Sequence, residues 1–383
     1  MGGAEFDAII AGGGLAGLSL AAHLATGRWR DRSVLVVDDP TPRRPPAACW
    51  GSWSAGGGLL EAAASRSYGT VRVRAAGTCR LLPLGPYRYL LVRREDLRGM
   101  VLTLLAGCPG FELVDGRVRG VRQAGGVAEV DVDGRWLRAS WAFDSVTPPP
   151  ATRADARLAF DGREVTCADR TFDPGTPTLF DFRPDRDGRA RFGYVLPQDT
   201  HSALVELVEF VPRHACPPPP AEREAALEAY LRELIGRAPH VVRRTEAAVL
   251  PLTASPPPRR RGRVLSIGAR GGLIKASTGY SYQRIQRDSA AVAASLARHG
   301  HPFDLPRRRP RHRLLDAVLL EVLDRDARQL ERAFARLFAA NPADRVLRFL
   351  DEDTRLSEEL RLIRSMPKRP YVSGLVRALC TTH

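Results

Sequence analysis

The sequence predicts an α/β (α+β) protein whose N-terminal unit is a nucleotide-binding βαβ motif, with a β-rich middle and a helical C-terminal region. Three observations predict it. An apolar run at residues 6–11 leads into glycines, a helical stretch at 15–24 follows, and a second apolar run at 33–37 ends in Asp38-Asp39. Residues 160–210 are rich in short apolar runs, clearest at 192–196 and 202–210. Beyond the basic, proline-bearing stretch 306–313 the apolar spacing is helical, over 314–337, 345–350 and 357–363.

A chain of 383 residues exceeds one compact core. The expected division is a first part of the nucleotide-binding domain (1–150), a β-rich substrate domain (151–245), a return segment of the first domain (246–300) and the helical region (301–383). Residues 94–105 read as a helix, 118–132 as a hairpin about Gly125-Gly126, 138–143 as a strand, 221–235 as an amphipathic helix, 263–267 as a strand and 282–299 as a helix. The net charge of +15 is nearly all arginine, since Lys275 and Lys368 are the only lysines. That skew fits codon bias, and it also suits anionic lipid headgroups. No nucleic-acid motif accompanies it, so a nucleic-acid partner is not expected. The cysteines lack a C-x-x-C pair, which argues against a zinc site. With no signal-like start and no apolar stretch of spanning length, a cytoplasmic protein is expected.

Gly12-Gly13-Gly14-Leu15-Ala16-Gly17 fits G-x-G-x-x-G between a strand and a helix, the context in which that motif carries meaning. Gly12 permits the turn, Gly14 lets the backbone approach a diphosphate, and Gly17 lets helix and strand pack closely. The N–H groups of Leu15 and Ala16 open the helix toward the phosphates. Asp38, at the end of the second strand, can accept from a ribose hydroxyl and disfavours a 2′-phosphate. The motif alone leaves FAD and NAD open. Two features favour FAD. Arg94-Glu95-Asp96-Leu97 resembles the R-x-x-L that flavin monooxygenase-like folds place beside the cofactor. Residues 264–272 form a late strand–glycine–helix turn with Gly268, Gly271 and Gly272, which in those folds returns to the flavin domain. Without that resemblance Arg94 reads as a surface residue of its helix. The fold implied is a Rossmann-like FAD-binding fold of the flavin monooxygenase (p-hydroxybenzoate hydroxylase-like) type.

Residues 271–285, reading GGLIKASTGYSYQRI, resemble the G-G-x-x-K-P-S-T-G-Y-S-F-x-R-I signature of the lycopene cyclase family. Other pieces fall in the family's order. Glu246 through Leu252 is similar to its E-x-G-V-I-P-M, Phe160-Asp161-Gly162 to its F-x-G-W, Phe143-Asp144-Ser145 to its F-D-S, and Ala203-Leu204-Val205-Glu206 to its acidic F-L-E-E-T strand. The resemblance implies reduced FAD, with NADPH as external reductant, in a reaction without net redox change. A terminal double bond of a hydrophobic polyene is protonated, the carbocation closes a ring, and a proton leaves. It implies Glu206 as the acid, and Lys275, Thr278 and Gly279 beside the cofactor with the glycines already named. Trp50 and Trp53 suit stacking on a polyene or cation, and the resemblance adds Tyr194, Tyr280 and Arg163 to the substrate's surroundings. Alternation puts Leu204, Glu206 and Val208 on one face of their strand and Val205, Leu207 and Glu209 on the other, so periodicity alone leaves the direction of Glu206 open.

The chain departs from the pattern at Arg163 (tryptophan in the family), Ala276 (proline), Val146 (arginine) and Ala48-Cys49-Trp50 (R-T-W). A cation at Arg163 in the tunnel would repel a carbocation. The function expected is a redox-neutral FAD-dependent cyclase of lycopene or a related terpenoid polyene. A cyclase or isomerase of another secondary metabolite, or a flavin monooxygenase, is the alternative. Peripheral contact at the inner face of the plasma membrane is expected through residues 307–313 and the face Leu315, Val318, Leu319, Val322.

Overall fold

A computed structural model describes residues 4–40, 49–147, 154–184, 187–256 and 258–381. Ala48 lies outside the described residues.

The first sheet grows from the strand Phe6–Ala11. It pairs in parallel with Val34–Asp38 on one side and with Arg135–Asp144 on the other. Phe111–Asp115 extends the sheet beyond Val34–Asp38, and Val264–Ser266 extends it beyond Arg135–Asp144, again in parallel. Its central strands are apolar on both sides because helices cover one face and the hairpin Val118–Ala124/Val127–Val132 covers part of the other. The helices Leu15–Ala25, Arg94–Leu105 and Tyr282–His299 supply that first cover.

The second sheet has seven strands, in the order His240–Leu252, Ala156–Cys167, Ser202–Pro212, Arg191–Pro197, Thr178–Asp181, Thr70–Ala75, Thr78–Pro83. One face packs on the helix Pro220–Ile235 through Val165, Val195, Val205 and Leu207. The other faces the first sheet and the C-terminal helices. A small third sheet, Cys49–Ser54, Arg88–Arg93 and Ala64–Tyr68, closes the space between the two large ones.

The helical stretch expected at 314–337 is two helices, Pro310–Arg325 and Gln329–Ala340. The break is at Asp326, whose extended backbone (φ −144°, ψ 93°) ends the first helix. Its carboxylate accepts hydrogen bonds from Arg328 and Gln329 at the start of the second. A last helix, Lys368–Thr381, lies along Pro310–Arg325 so closely that a Cβ on Gly374 would come 2.8 Å from Val322. The apolar face expected to meet a membrane is therefore covered. The basic cluster is also engaged: Arg308 pairs with Asp316 and Glu352, and Arg311 with Glu359.

Lys275 Nζ lies 2.7 Å from Asp316 Oδ1 and 3.0 Å from Glu352 Oε1, tying the loop after Val264–Ser266 to the helical region. Burial opposes ionisation of Glu352, but hydrogen bonds from His312 and Arg308 and the Lys275 charge overcome it and hold the carboxyl far below its ordinary range. For Asp316, burial is likewise overcome by Lys275 and Arg308. Carboxyls depressed in this way stabilise the fold above their unfolded pKa of about 4 and lose that contribution as pH falls below it. Glu352→Gln should lower the unfolding free energy at pH 7 by on the order of 3 kcal/mol. In denaturant titrations the gap from wild type should narrow as pH is taken below about 4, and a pH-independent gap would contradict this account.

Candidate functional site

The glycine turn has the conformation its sequence demands. Gly12 sits at φ +107°, a region costly to other residues. A Cβ on Gly17 would come 1.8 Å from Gly12 O, so only glycine lets the helix start so close to the strand. Gly14 caps Leu15–Ala25 without any side-chain cap, leaving the first N–H groups free for an anion. A Cβ on Gly14 would have only the Arg94 guanidinium within 4 Å, at 3.9 Å, so a ligand can approach the backbone. Asp38 accepts from Gly13 N (3.1 Å), Arg94 (3.1 Å) and Arg98 (2.9 Å). The donor set fits a dinucleotide: open backbone N–H groups, a cation beside them and an acid at the second strand's end.

The late strand returns to this turn. Asp144 pairs with Ser266, and Gly268 (φ +60°) packs on the first helical turn, where a Cβ would meet Ala16 Cβ at 2.7 Å. The loop then crosses to the second sheet, with Gly279 (φ +77°) set against Leu158. Between helix start, loop and second sheet lies a cavity of about 510 Å³. Gly14, Leu15, Ala16, Arg94 and Gly268 line one end, and the second sheet forms its floor.

That floor is ordered by strand register. Ala248, Phe160, Val208 and Phe192 stand in one row across four strands. Glu246, Gly162, Glu206 and Tyr194 stand in the next. Glu206 thus faces the cavity with Leu204 and Val208, and its remaining accessible surface opens there. Glu209 turns outward to Arg191. Because Gly162 has no side chain, the carboxyls of Glu206 and Glu246 meet over it. A Cβ there would lie 3.0 Å from the Cγ of each. The two side chains thus stand side by side over the glycine. Burial, then the Glu246 charge, push the Glu206 carboxyl well above its ordinary range. Around them the Tyr194 and Tyr280 hydroxyls lie 2.9 Å apart, with Tyr89 also lining the cavity. Burial keeps all three phenols protonated, and it also raises the Cys49 thiol.

The structure brings Glu206, Trp50, Tyr194, Tyr280, Thr278, Gly279, Gly268, Arg94, Gly14, Leu15 and Ala16 to one cavity. Gly12, Gly17 and Asp38 stand directly behind it. Five sequence-based assignments change. Arg163 points away from the cavity, to Glu224 and Glu228 on Pro220–Ile235, because it is one position out of phase with Gly162. The departure from F-x-G-W therefore puts no cation into the tunnel. Lys275 is turned to Asp316 and Glu352 and does not reach the glycine turn. Gly271 and Gly272 shape the return turn, against Ser266 O and Pro256, without lining the cavity. Trp53 stands one layer back, edge-on to Tyr280 (4.6 Å) and stacked with Tyr89 (6.5 Å). Sequence reasoning did not single out Glu246, Tyr89, Phe160 or Phe192 as site residues. The signal for Glu246 was a glycine, Gly162, inside the strand Ala156–Cys167, but reading it needs the pairing register.

The model of the family described as "Lycopene cyclase protein" matches residues 7–375. No curated protein sequence matches the chain. Among solved structures it is similar to a geranylgeranyl bacteriochlorophyll reductase-like protein from Thermoplasma acidophilum (14% identity, TM-score 0.64, covering 97% of this chain and 99% of that one). It is also similar to the flavin-dependent brominase Bmp2 (15% identity, TM-score 0.60, covering 90% and 93%). A third is a point mutant of the halogenase PltM, solved in complex with FAD (12% identity, TM-score 0.58, covering 91% and 82%). At such identities the likeness is one of fold, an α/β fold shared with flavin-dependent enzymes. With the family match spanning nearly all of the sequence, the chain belongs to the lycopene cyclase protein family.

Proposed function

We propose that this protein is an FAD-dependent, redox-neutral cyclase that closes a ring on lycopene or a related terpenoid polyene. The observation that carries the reading is a carboxyl, Glu206, aimed into an apolar, aromatic cavity that adjoins an open helix N-terminus, where burial raises its pKa and favours the protonated form. Gly12, Gly14, Leu15, Ala16 and Gly17 would hold the cofactor's diphosphate, Asp38 a ribose, and Arg94, Gly268, Thr278 and Gly279 the rest of the molecule. Bound and reduced, with NADPH as the external reductant, FAD would supply negative charge beside the cavity.

The chain's own groups do the remainder. Glu206 donates its proton to a terminal double bond. The ring faces of Trp50, Phe160, Phe192 and Tyr194 attract the resulting cation. The apolar walls keep water from trapping it. Among the described lining residues Arg94 is the one cation, and Asp38 engages it. Loss of a proton from the ring restores a double bond, so substrate and product have equal mass.

Peripheral membrane contact is proposed through a different surface from that expected from sequence. Leu356, Leu360 and Ile363 on Leu356–Ser365, and Val372, Val376 and Leu379 on Lys368–Thr381, are exposed at helical spacing. Arg361, Arg364, Lys368 and Arg369 lie beside them, a combination that suits an anionic lipid surface. Val372→Asp with Val376→Asp should reduce flotation with anionic vesicles by about tenfold, and salt should weaken wild-type binding. Equal flotation of the variant would rule this surface out.

Glu206→Gln should retain bound FAD, read from its absorption spectrum, and lose cyclisation by about 10²–10⁴-fold. Because the protonated carboxyl is the active form, wild-type activity should fall as pH rises through the raised pKa. Full activity in the glutamine variant, or a product heavier by oxygen with NADPH consumed stoichiometrically, would overturn the reading.

A further inference from the structure

We propose that Glu246 is the positioning partner of Glu206, the two carboxyls forming a shared-proton pair over Gly162 that both gives the proton and takes one back. This rests on the cyclase reading above.

The geometry comes from three neighbouring strands. Gly162, in the middle strand, pairs with Glu206 on one side and with Glu246 on the other. Side chains two strands apart start from backbones about 9–10 Å apart, too far for two ordinary neighbours to touch across a third side chain. A Cβ at 162 would lie 3.0 Å from both Cγ atoms, so the glycine is what lets the carboxyls join. Glu246 is 8% exposed and Gly162 is buried. Carboxyls placed this close can hydrogen-bond only through a shared proton, because two ionised carboxylates are acceptors only. In the resting site, with no cation beside them, like charges held this close do not both ionise.

The groups facing the pair leave it as the titrating unit. They are the Cys49 thiol from Cys49–Ser54, Tyr89 from Arg88–Arg93, Tyr194 from Arg191–Pro197 and Tyr280 from the return loop. Each is held protonated by burial. Arg93 and Glu164, beyond Cys49, form an ion pair at 2.6 Å. Arg94, also at the cavity, is bonded to Asp38.

The proton balance closes on the pair. Before reaction it holds one proton and one negative charge. The O–H bond breaks as a C–H bond forms at the terminal alkene carbon, leaving two negative charges opposite the carbocation. After ring closure a C–H bond beside the cationic carbon breaks, its electrons become the ring double bond, and the proton returns to the pair. No oxidant or reductant is consumed.

The test has two arms on the full-length protein. Infrared difference spectra, taken without substrate, follow the C=O stretch of a protonated carboxyl as pH is raised. Wild type should show the band at neutral pH and lose it in Glu206→Gln. In Glu246→Gln, where Glu206 no longer faces a neighbouring charge, the band should titrate at least one pH unit lower. Gly162→Ala, which wedges the carboxyls apart without changing either, should move the titration in the same direction. In the activity arm, Glu246→Gln and Gly162→Ala should shift the alkaline limb of kcat/KM downward and lower kcat at least tenfold, with KM little changed. An unchanged titration in both variants overturns the pair. A shifted titration with an unchanged pH–rate profile overturns its part in the reaction. If wild type cyclises no polyene, the cyclase reading fails by itself, and the infrared arm still decides whether the carboxyls share a proton.

Discussion

The site depends on one contact: the return turn at Gly268 pressed against Ala16 in the first turn of the N-terminal helix. The chain leaves the first sheet at Asp144 and rejoins it at Val264–Ser266, having built most of the second sheet in between. Parallel pairing of Asp144 with Ser266 sets where the loop emerges, and the left-handed backbone at Gly268 sets its direction. From there the loop reaches the second sheet at Leu158. The cavity is the space these three parts leave between them. Asp144 anchors the arrangement from below, buried and paired with Arg261 and Arg270. Those guanidiniums come from the returning segment, whereas the family's F-D-S-R pattern carries an arginine locally.

Much of this was legible in the sequence, for identifiable reasons. The βαβ unit announces itself because a glycine turn, a helix and a strand-terminal acid must occur together for the backbone to approach a diphosphate. The direction of Glu206 was not legible, because both faces of Ser202–Pro212 are apolar. Val205 and Leu207 meet Pro220–Ile235, while Leu204 and Val208 meet the cavity. Alternation separates faces only when one of them is wet. Arg163 and Gly162 illustrate the same limit, since a one-residue difference moves a side chain to the opposite face. Glu246 was hidden for another reason: it reaches Glu206 across an intervening strand, Ala156–Cys167, that lies far earlier in the sequence than either. Lys275 was misassigned because a motif specifies residue type and leaves the partner open.

The chemistry the cavity can host follows from what surrounds it. Its floor sets the Glu206 carboxyl among phenols and aromatic rings within apolar walls, with Glu246 beside it across Gly162. Burial favours the neutral form of Glu206, and the glycine beside it lets the Glu246 side chain come close. A site of this kind holds a proton ready and meets a positive charge with ring faces, so its acidity and its cation affinity share one structural origin.

The distribution of amines has a practical consequence. Of the two lysines, Lys275 is sealed beneath the helical region by Asp316 and Glu352, while Lys368 opens the last helix. Between the two lysines, an amine-directed fluorophore would therefore favour the exposed Lys368. That side chain stands at the border of the exposed apolar surface, a ready-made position for an environment-sensitive dye.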